Sequence, residues 1–351
     1  MTTTLLSGIA FGAALTASGV HQPSVILGQL KLADWDMMET FLTATASSTL
    51  LILAFHTANI VKLAPRCYSP LGLFAHYDGN LIGGALLGVG MALARSCPGT
   101  VLAQVGAGLP SGFPALVGAL LGGLGFTSLV RPWLRANAAC KPPKSEITEN
   151  EREPSRTVHE SLGINRYVVA GTFEAVLVAI VAGLTLFSSA SRGGFAATRP
   201  IAGGLLIGLA QLVSLLLRRS AVGVSTAFEE AGDFVWWPFY SPGESESQRP
   251  KGMSVVFAGG IVGGAWLVSQ AMPITPLFQP SESESAIPII VAAVPLWQSV
   301  LGGFVMVMGA RIAGGCTSGH GITGMSLLSV SSFLTIGSAL GAGVLTAKMF
   351  L

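Results

Sequence analysis

Charge is what this chain lacks most. Only 10% of its 351 residues are Asp, Glu, Lys or Arg, against about 25% in a soluble domain. A soluble globular protein is therefore excluded, and so is a disordered chain, which combines high charge with low hydrophobicity. The formal net charge is only +2, which gives no electrostatic footprint for nucleic acid. Four unclustered cysteines make no disulfide framework. Five histidines are too few for a multinuclear metal protein. H-E-x-x-H, C-x-x-C, Walker and G-x-S-x-G patterns are all missing, so an enzyme has no motif to rest on, and no cofactor is expected. No Lys or Arg precedes Lys31. The N-terminal apolar run therefore lacks the basic region of a signal peptide and is expected to be a membrane helix.

What the chain has instead is apolar residues, 51%, and glycine, 45 residues. That glycine content is roughly twice the usual share of about 7% and suits closely packed transmembrane helices. Nine apolar runs are long enough to be candidate spans: 5–20, 37–61, 80–96, 112–131, 166–189, 200–217, 253–272, 288–313 and 331–350. Four shorter runs follow Gly- or Pro-rich breaks, at 23–32, 98–109, 222–237 and 317–329. They are too short to cross and are expected to be re-entrant, which requires burial in protein or the lining of a cavity. The expected fold is an all-α polytopic membrane protein, with about nine transmembrane helices and four short re-entrant helices in two inverted repeats. The first repeat is 1–131, a polar cytoplasmic linker is 132–165, a joining helix and loop are 166–198, and the second repeat is 199–351. With the N-terminus inside, thirteen Lys and Arg fall in inner loops and four outside, the bias expected of a cytoplasmic N-terminus. The plasma membrane is the expected location.

The repeat rests on two alignments. LIGGALLGVGMALARSCPGT (81–100) matches SVLGGFVMVMGARIAGGCTSG (299–319), pairing Gly83 with Gly302, Gly84 with Gly303 and Cys97 with Cys316. SGIAFGAAL (7–15) matches GGLLIGLAQ (203–211) through Gly8/Gly204 and Gly12/Gly208. An odd joining span inverts the second half, and inverted repeats with broken helices mark transporters, the breaks pointing to the binding site.

Candidate chemistry gathers at those breaks. In GARIAGGCTSGHGITG (309–324) a Gly pair precedes Cys316, then Thr317, Ser318 and His320. The start of a short helix offers unpaired N–H groups to an anion. ARSCPGT (94–100) repeats the plan around Cys97, with Pro98 at a first helical position. Small thiols also pack in bundles without any function, but this pair coincides in register, each before a helix start. Arg95 and Arg311, close before the two cysteines, would draw in an anion or snorkel to an interface. His320 would donate to an oxyanion or pack as a bonded residue. Ser18, His21, Gln104 and Ser225 complete the candidate path, with capping as the alternative for the hydroxyls. Glu229, Glu230 and Asp233 would form a proton relay, but a solvated helix end is the expectation. Cys67 and Cys140 are expected to be bystanders in loops.

GGCTSGHG together with ARSCPGT resembles the YeeE/YedE sulfur-transport family of integral membrane proteins, over about 300 residues in both halves. The resemblance implies a thiosulfate uptake permease of nine spanning and four short helices, an hourglass whose narrow central path is lined by thiols, here Cys97 and Cys316. Family members tend to carry a third cysteine near the first short helix, where this chain has Ser18, Gly19 and His21, and the linker 132–165 is longer than the family pattern. Thiosulfate, or a similar small anion, and the lipid bilayer are the expected partners. Alternatives are a membrane thiol–disulfide oxidoreductase using Cys97 and Cys316, or a transporter of another sulfur or selenium species, or one delivering to a cytosolic sulfur-carrier protein.

Overall fold

The computed structural model describes residues 1–137, 157–192, 199–239, 250–271 and 294–351. Cys140 and residues 138–156 of the polar linker lie outside the described residues. Among the described residues there are fourteen α-helices and no β-strand. In chain order they are α1 Thr2–Ala17, α2 Pro23–Leu30, α3 Asp36–Thr57, α4 Asp78–Ala94, α5 Thr100–Gly106, α6 Gly112–Gly125, α7 Arg131–Asn137, α8 Val158–Leu162, α9 Arg166–Arg192, α10 Arg199–Arg218, α11 Ser225–Trp236, α12 Met253–Ala271, α13 Leu296–Ile312 and α14 Val330–Phe350. A π-turn at Phe126–Val130 joins α6 to α7, and a π-helix, Ser318–Met325, stands between α13 and α14.

Six of these are long and apolar enough to cross a membrane: α3, α6 continued through α7, α9, α10, α12 and α14. Three further apolar helices, α1, α4 and α13, have only 16 or 17 residues. Seventeen residues rise about 25 Å, less than the about 30 Å of a hydrocarbon core. Each of these three runs directly into a short segment: α1 into α2, α4 into α5, and α13 into the π-helix. Of the span expected at 288–313, residues 288–293 lie outside the described residues, and the described helix starts at Leu296 with Pro295 at the cap position.

Backbone contact through glycine holds the bundle together. At the centre α4 crosses α13, with Gly83 against Gly309 and Ala313, and Gly90 against Met306 and Gly302. On the other face of α4, Gly84 and Gly88 meet Thr335 and Ala339 of α14. Gly118 and Gly122 of α6 meet Val300 and Phe304 of α13. Gly8 and Gly12 of α1 meet Phe257 and Ile261 of α12, while Gly204 and Gly208 of α10 meet Thr40, Thr43 and Ser47 of α3. Exchanging α1 with α10, α3 with α12, α4 with α13 and α6 with α14 maps the α4–α13 contact onto itself, α4–α14 onto α13–α6 and α1–α12 onto α10–α3. Helix α9 stands apart from that exchange. It packs on α3, where Thr185 donates a hydrogen bond to the buried Glu39 carboxylate.

A side chain at Gly88 would overlap the Ala339 carbonyl. Gly88→Leu should therefore abolish the monodisperse peak of detergent-solubilised protein, since overpacking costs about 1–3 kcal/mol or more. Gly259→Ala, with open space around it, should leave that peak unchanged. Equal behaviour of the two variants in gel filtration would refute the close-packing account.

Candidate functional site: two cysteine junctions around an interior cavity

A cavity of about 50 Å³ lies between the junction after α4 and the junction after α13. Its wall includes Cys97 and Thr100 from the first, Thr317 and Ser318 from the second, and Phe41 and Ile207 from α3 and α10. A neighbouring cavity of about 40 Å³ shares Met37, Phe41 and Thr317 with it. Spaces of this size hold only a few waters. Cys97 faces the cavity directly, whereas Cys316 sits one residue behind Thr317 and is fully buried.

At the first junction α4 ends on Arg95 in a left-handed conformation, φ 49°. The Cys97 N–H donates to Thr100 Oγ1 at 2.6 Å, and the Thr100 N–H donates to Cys97 Sγ at 3.3 Å. This is the reciprocal pattern of a capping box, with a thiol in place of the usual hydroxyl. The sulfur thus accepts a hydrogen bond at the edge of the cavity. Gln104, buried on α5, donates from Nε2 to the carbonyls of His21 at 2.9 Å and Arg95 at 3.1 Å. Its Oε1 is buried without a partner. His21 is bonded to the Leu15 carbonyl, which Ser18 Oγ also reaches at 3.1 Å, so both residues tie the end of α1. His21 Nδ1 has no partner.

The second junction is built differently. Cys316 Sγ lies 3.2 Å from Ser318 Oγ, with the backbone of Gly319, Val224 and Ser225 beside it. The last two open α11, so two segments about ninety residues apart in sequence meet at this sulfur. His320 braces this turn. Its Nε2 lies 3.0 Å from the Ala313 carbonyl, which can only accept, so Nε2 carries the proton and Nδ1 accepts from Ser332 Oγ at 2.9 Å. Both ring nitrogens are occupied, leaving neither for a passing anion. Thr323 Oγ1 donates to the Val222 carbonyl at 3.1 Å.

The cations differ in how they are neutralised. Arg311 forms an ion pair with Glu229, reaches Ser225 Oγ at 3.4 Å and stacks over Phe126 at 5.5 Å. Glu229 also pairs with Arg131 at 3.3 Å, and Arg131 with Asp233 at 2.5 Å. The expected solvated helix end is instead a largely buried four-residue network joining α13, α11 and α7. The reason is register: Glu229 and Asp233 are one turn apart and present one acidic face of α11 to the two arginines. Glu230 serves elsewhere, accepting the N–H groups of Ser254 and Val255 at the start of α12.

Sequence reasoning missed Arg66, placing it simply among loop charges. The chain 66–71 is stitched across the end of α13 and the start of α14. Arg66 N–H donates to Ser329 Oγ at 2.9 Å, Ser331 Oγ donates to the Arg66 carbonyl at 3.2 Å, and Ser69 Oγ donates to the Ile312 carbonyl at 2.6 Å. Asp78 gathers the N–H groups of Leu71 and Leu73, and Asn80 that of Ser69. The half-buried Arg66 side chain thereby lies over the Cys316 turn, with Nη1 donating to the Gly314 carbonyl at 3.1 Å. Burial lowers its pKa from the ordinary value, yet from so high a start that it stays charged. No local motif announces this placement, because its partners are some 250 residues away.

Glu229→Gln should leave Arg311 and Arg131 facing each other without their shared counter-charge. The expected loss in thermal stability lies toward the low end of the roughly 3–5 kcal/mol that one-sided removal of a buried pair costs. Adding Arg311→Gln should recover part of it. An unchanged unfolding midpoint for Glu229→Gln would show the network to be energetically idle.

The profile described as "Sulphur transport" matches residues 17–346. The thiosulfate transporter TsuA of Spirochaeta thermophila is 26% identical over 339 residues, covering 95% of this chain and 93% of its own length. With nearly the whole chain matched, including both cysteine junctions, this protein belongs to the sulphur transport (YeeE/YedE) family, whose members are membrane transporters and not enzymes.

Proposed function

We propose that this chain takes up thiosulfate, or a closely related sulfur-containing anion, along a narrow path that passes Cys97 and then Cys316. Membership of a sulphur transport family and similarity to a thiosulfate transporter support the substrate class. One observation carries the path: the two thiols stand at separate helix junctions with the cavity between those junctions, Cys97 Sγ accepting the Thr100 N–H and Cys316 Sγ lying 3.2 Å from Ser318 Oγ. Thiosulfate is a dianion with oxygens at one end and a soft sulfur at the other. A neutral thiol can donate weakly to that sulfur without trapping it, and weak successive sites favour passage. A thiolate would repel the dianion, so the thiols work protonated and apart. No bond to the substrate is required.

The two halves act as inverted repeats about the α4–α13 crossing, which gives each thiol its own face of approach. The pairing of helix contacts under exchange of the halves supports this. The Lys and Arg distribution puts the N-terminus, loop 58–77 and the Cys316 junction on the cytoplasmic side.

Cys97→Ala and Cys316→Ala should each reduce thiosulfate-dependent growth of a cysteine-auxotrophic host at least tenfold in rate, with normal amounts of protein in the membrane. Cys67→Ala should grow like the parent. Normal growth of both single variants would end the two-thiol path. For orientation, Cys67 is exposed whereas Cys97 and Cys316 are buried. In a Cys140→Ser background, a membrane-impermeant maleimide should label Cys67 only after cells are permeabilised, and labelling of intact cells would reverse the topology.

A further inference from the structure

We propose that Arg66 is the oxyanion-holding residue of the Cys316 junction, gripping the oxygen end of the transported anion while the anion's sulfur faces the thiol. The inference rests on the sulfur-anion reading above and assigns the site its cation.

Three observations lead there. The first is a slot. A Cβ on Gly319 would stand 2.8 Å from Arg66 Nη2, one on Gly315 would stand 3.1 Å from Nη1, and one on Gly223 would stand 3.7 Å from Nη2. Those glycines flank Cys316 and the start of α11, so their missing side chains are what admit the guanidinium to the Cys316 turn. The second is charge. Among the described residues no carboxylate pairs with Arg66, and its electrostatic neighbours are Cys316 and Arg311. Arg311, by contrast, is neutralised by Glu229. A half-buried cation beside the Cys316 turn with no carboxylate partner leaves its charge available to an anion. The third is donor capacity. A guanidinium has five N–H groups in a planar fork, and among the described residues only Nη1 is engaged, with the Gly314 carbonyl. The remaining donors can take two oxygens of one tetrahedral anion side by side. The backbone of Arg66 is clamped between Ser329 and Ser331, so the fork is oriented before the anion arrives.

A lysine at 66 would keep the charge and lose the fork, and a glutamine would lose both. Gly319→Ala leaves Arg66 intact and fills the space beside Nη2. The test is thiosulfate uptake into proteoliposomes as a function of concentration, on protein that elutes intact from gel filtration. Arg66→Gln should raise KM at least tenfold, Arg66→Lys should raise it by less, and Gly319→Ala should raise it with the arginine still present. A merely structural Arg66 would lower the maximal rate and leave KM alone, and that result overturns the proposal. Should Arg66→Gln not elute intact, Arg66→Lys and Gly319→Ala decide, and unchanged KM in both overturns it. Failure of the wild-type chain to transport thiosulfate would instead fault the substrate reading.

Discussion

Close approach of helix backbones is the constraint on which this structure depends. In a bilayer, helices gain little by hiding apolar surface from lipid, so van der Waals contact must hold them together. Glycine makes that contact possible along α4, where one face meets α13 and the other meets α14. A methyl group at Gly83, Gly88 or Gly309 would run into the partner's backbone. The same crossing fixes where α4 and α13 end, and both end at a cysteine junction. Packing and site are therefore one arrangement: the rows of small residues that bring the helices together also set the distance from each thiol to the cavity.

Buried polar groups then decide what the junctions can do. Around Cys316, most capacity for hydrogen bonding is already spent on holding shape. His320 is occupied at both nitrogens, Thr323 ties Val222, and Arg311 is committed to Glu229. These bonds make a rigid turn, in a medium where an unsatisfied polar atom is expensive. Around Cys97 the balance is looser, since Gln104 Oε1 and His21 Nδ1 are buried without partners. The two thiols are related in register yet differ in surroundings. One faces the cavity just before a helix start, where its sulfur accepts the Thr100 N–H, and the other is fully buried beside Ser318.

Family membership and the site geometry bear on different questions. The match over residues 17–346 makes the chain a transporter of the sulphur transport family. It says nothing of which cation meets the anion. Among the described residues, network partners neutralise Arg311 and Arg131, while Arg66 lies over the Cys316 turn with no carboxylate partner.

The sequence by itself determined the class of fold and the positions of its elements. Scarcity of charge, abundance of glycine and the lengths of the apolar runs located helices at all nine candidate spans and at all four short segments. These are local properties, and helix formation in lipid is local because every backbone hydrogen bond closes within one segment. The paired cysteine motifs were legible for the same reason. Only the tertiary structure decided the rest. It turned the fourth short segment into a π-helix, converted Glu229 and Asp233 from an expected solvated end into a buried network, and gave His320 a bracing role. It also brought Arg66 to Cys316 across 250 residues. Each of these outcomes depends on which helix faces which, and that is settled by contacts between distant segments that no local spacing encodes.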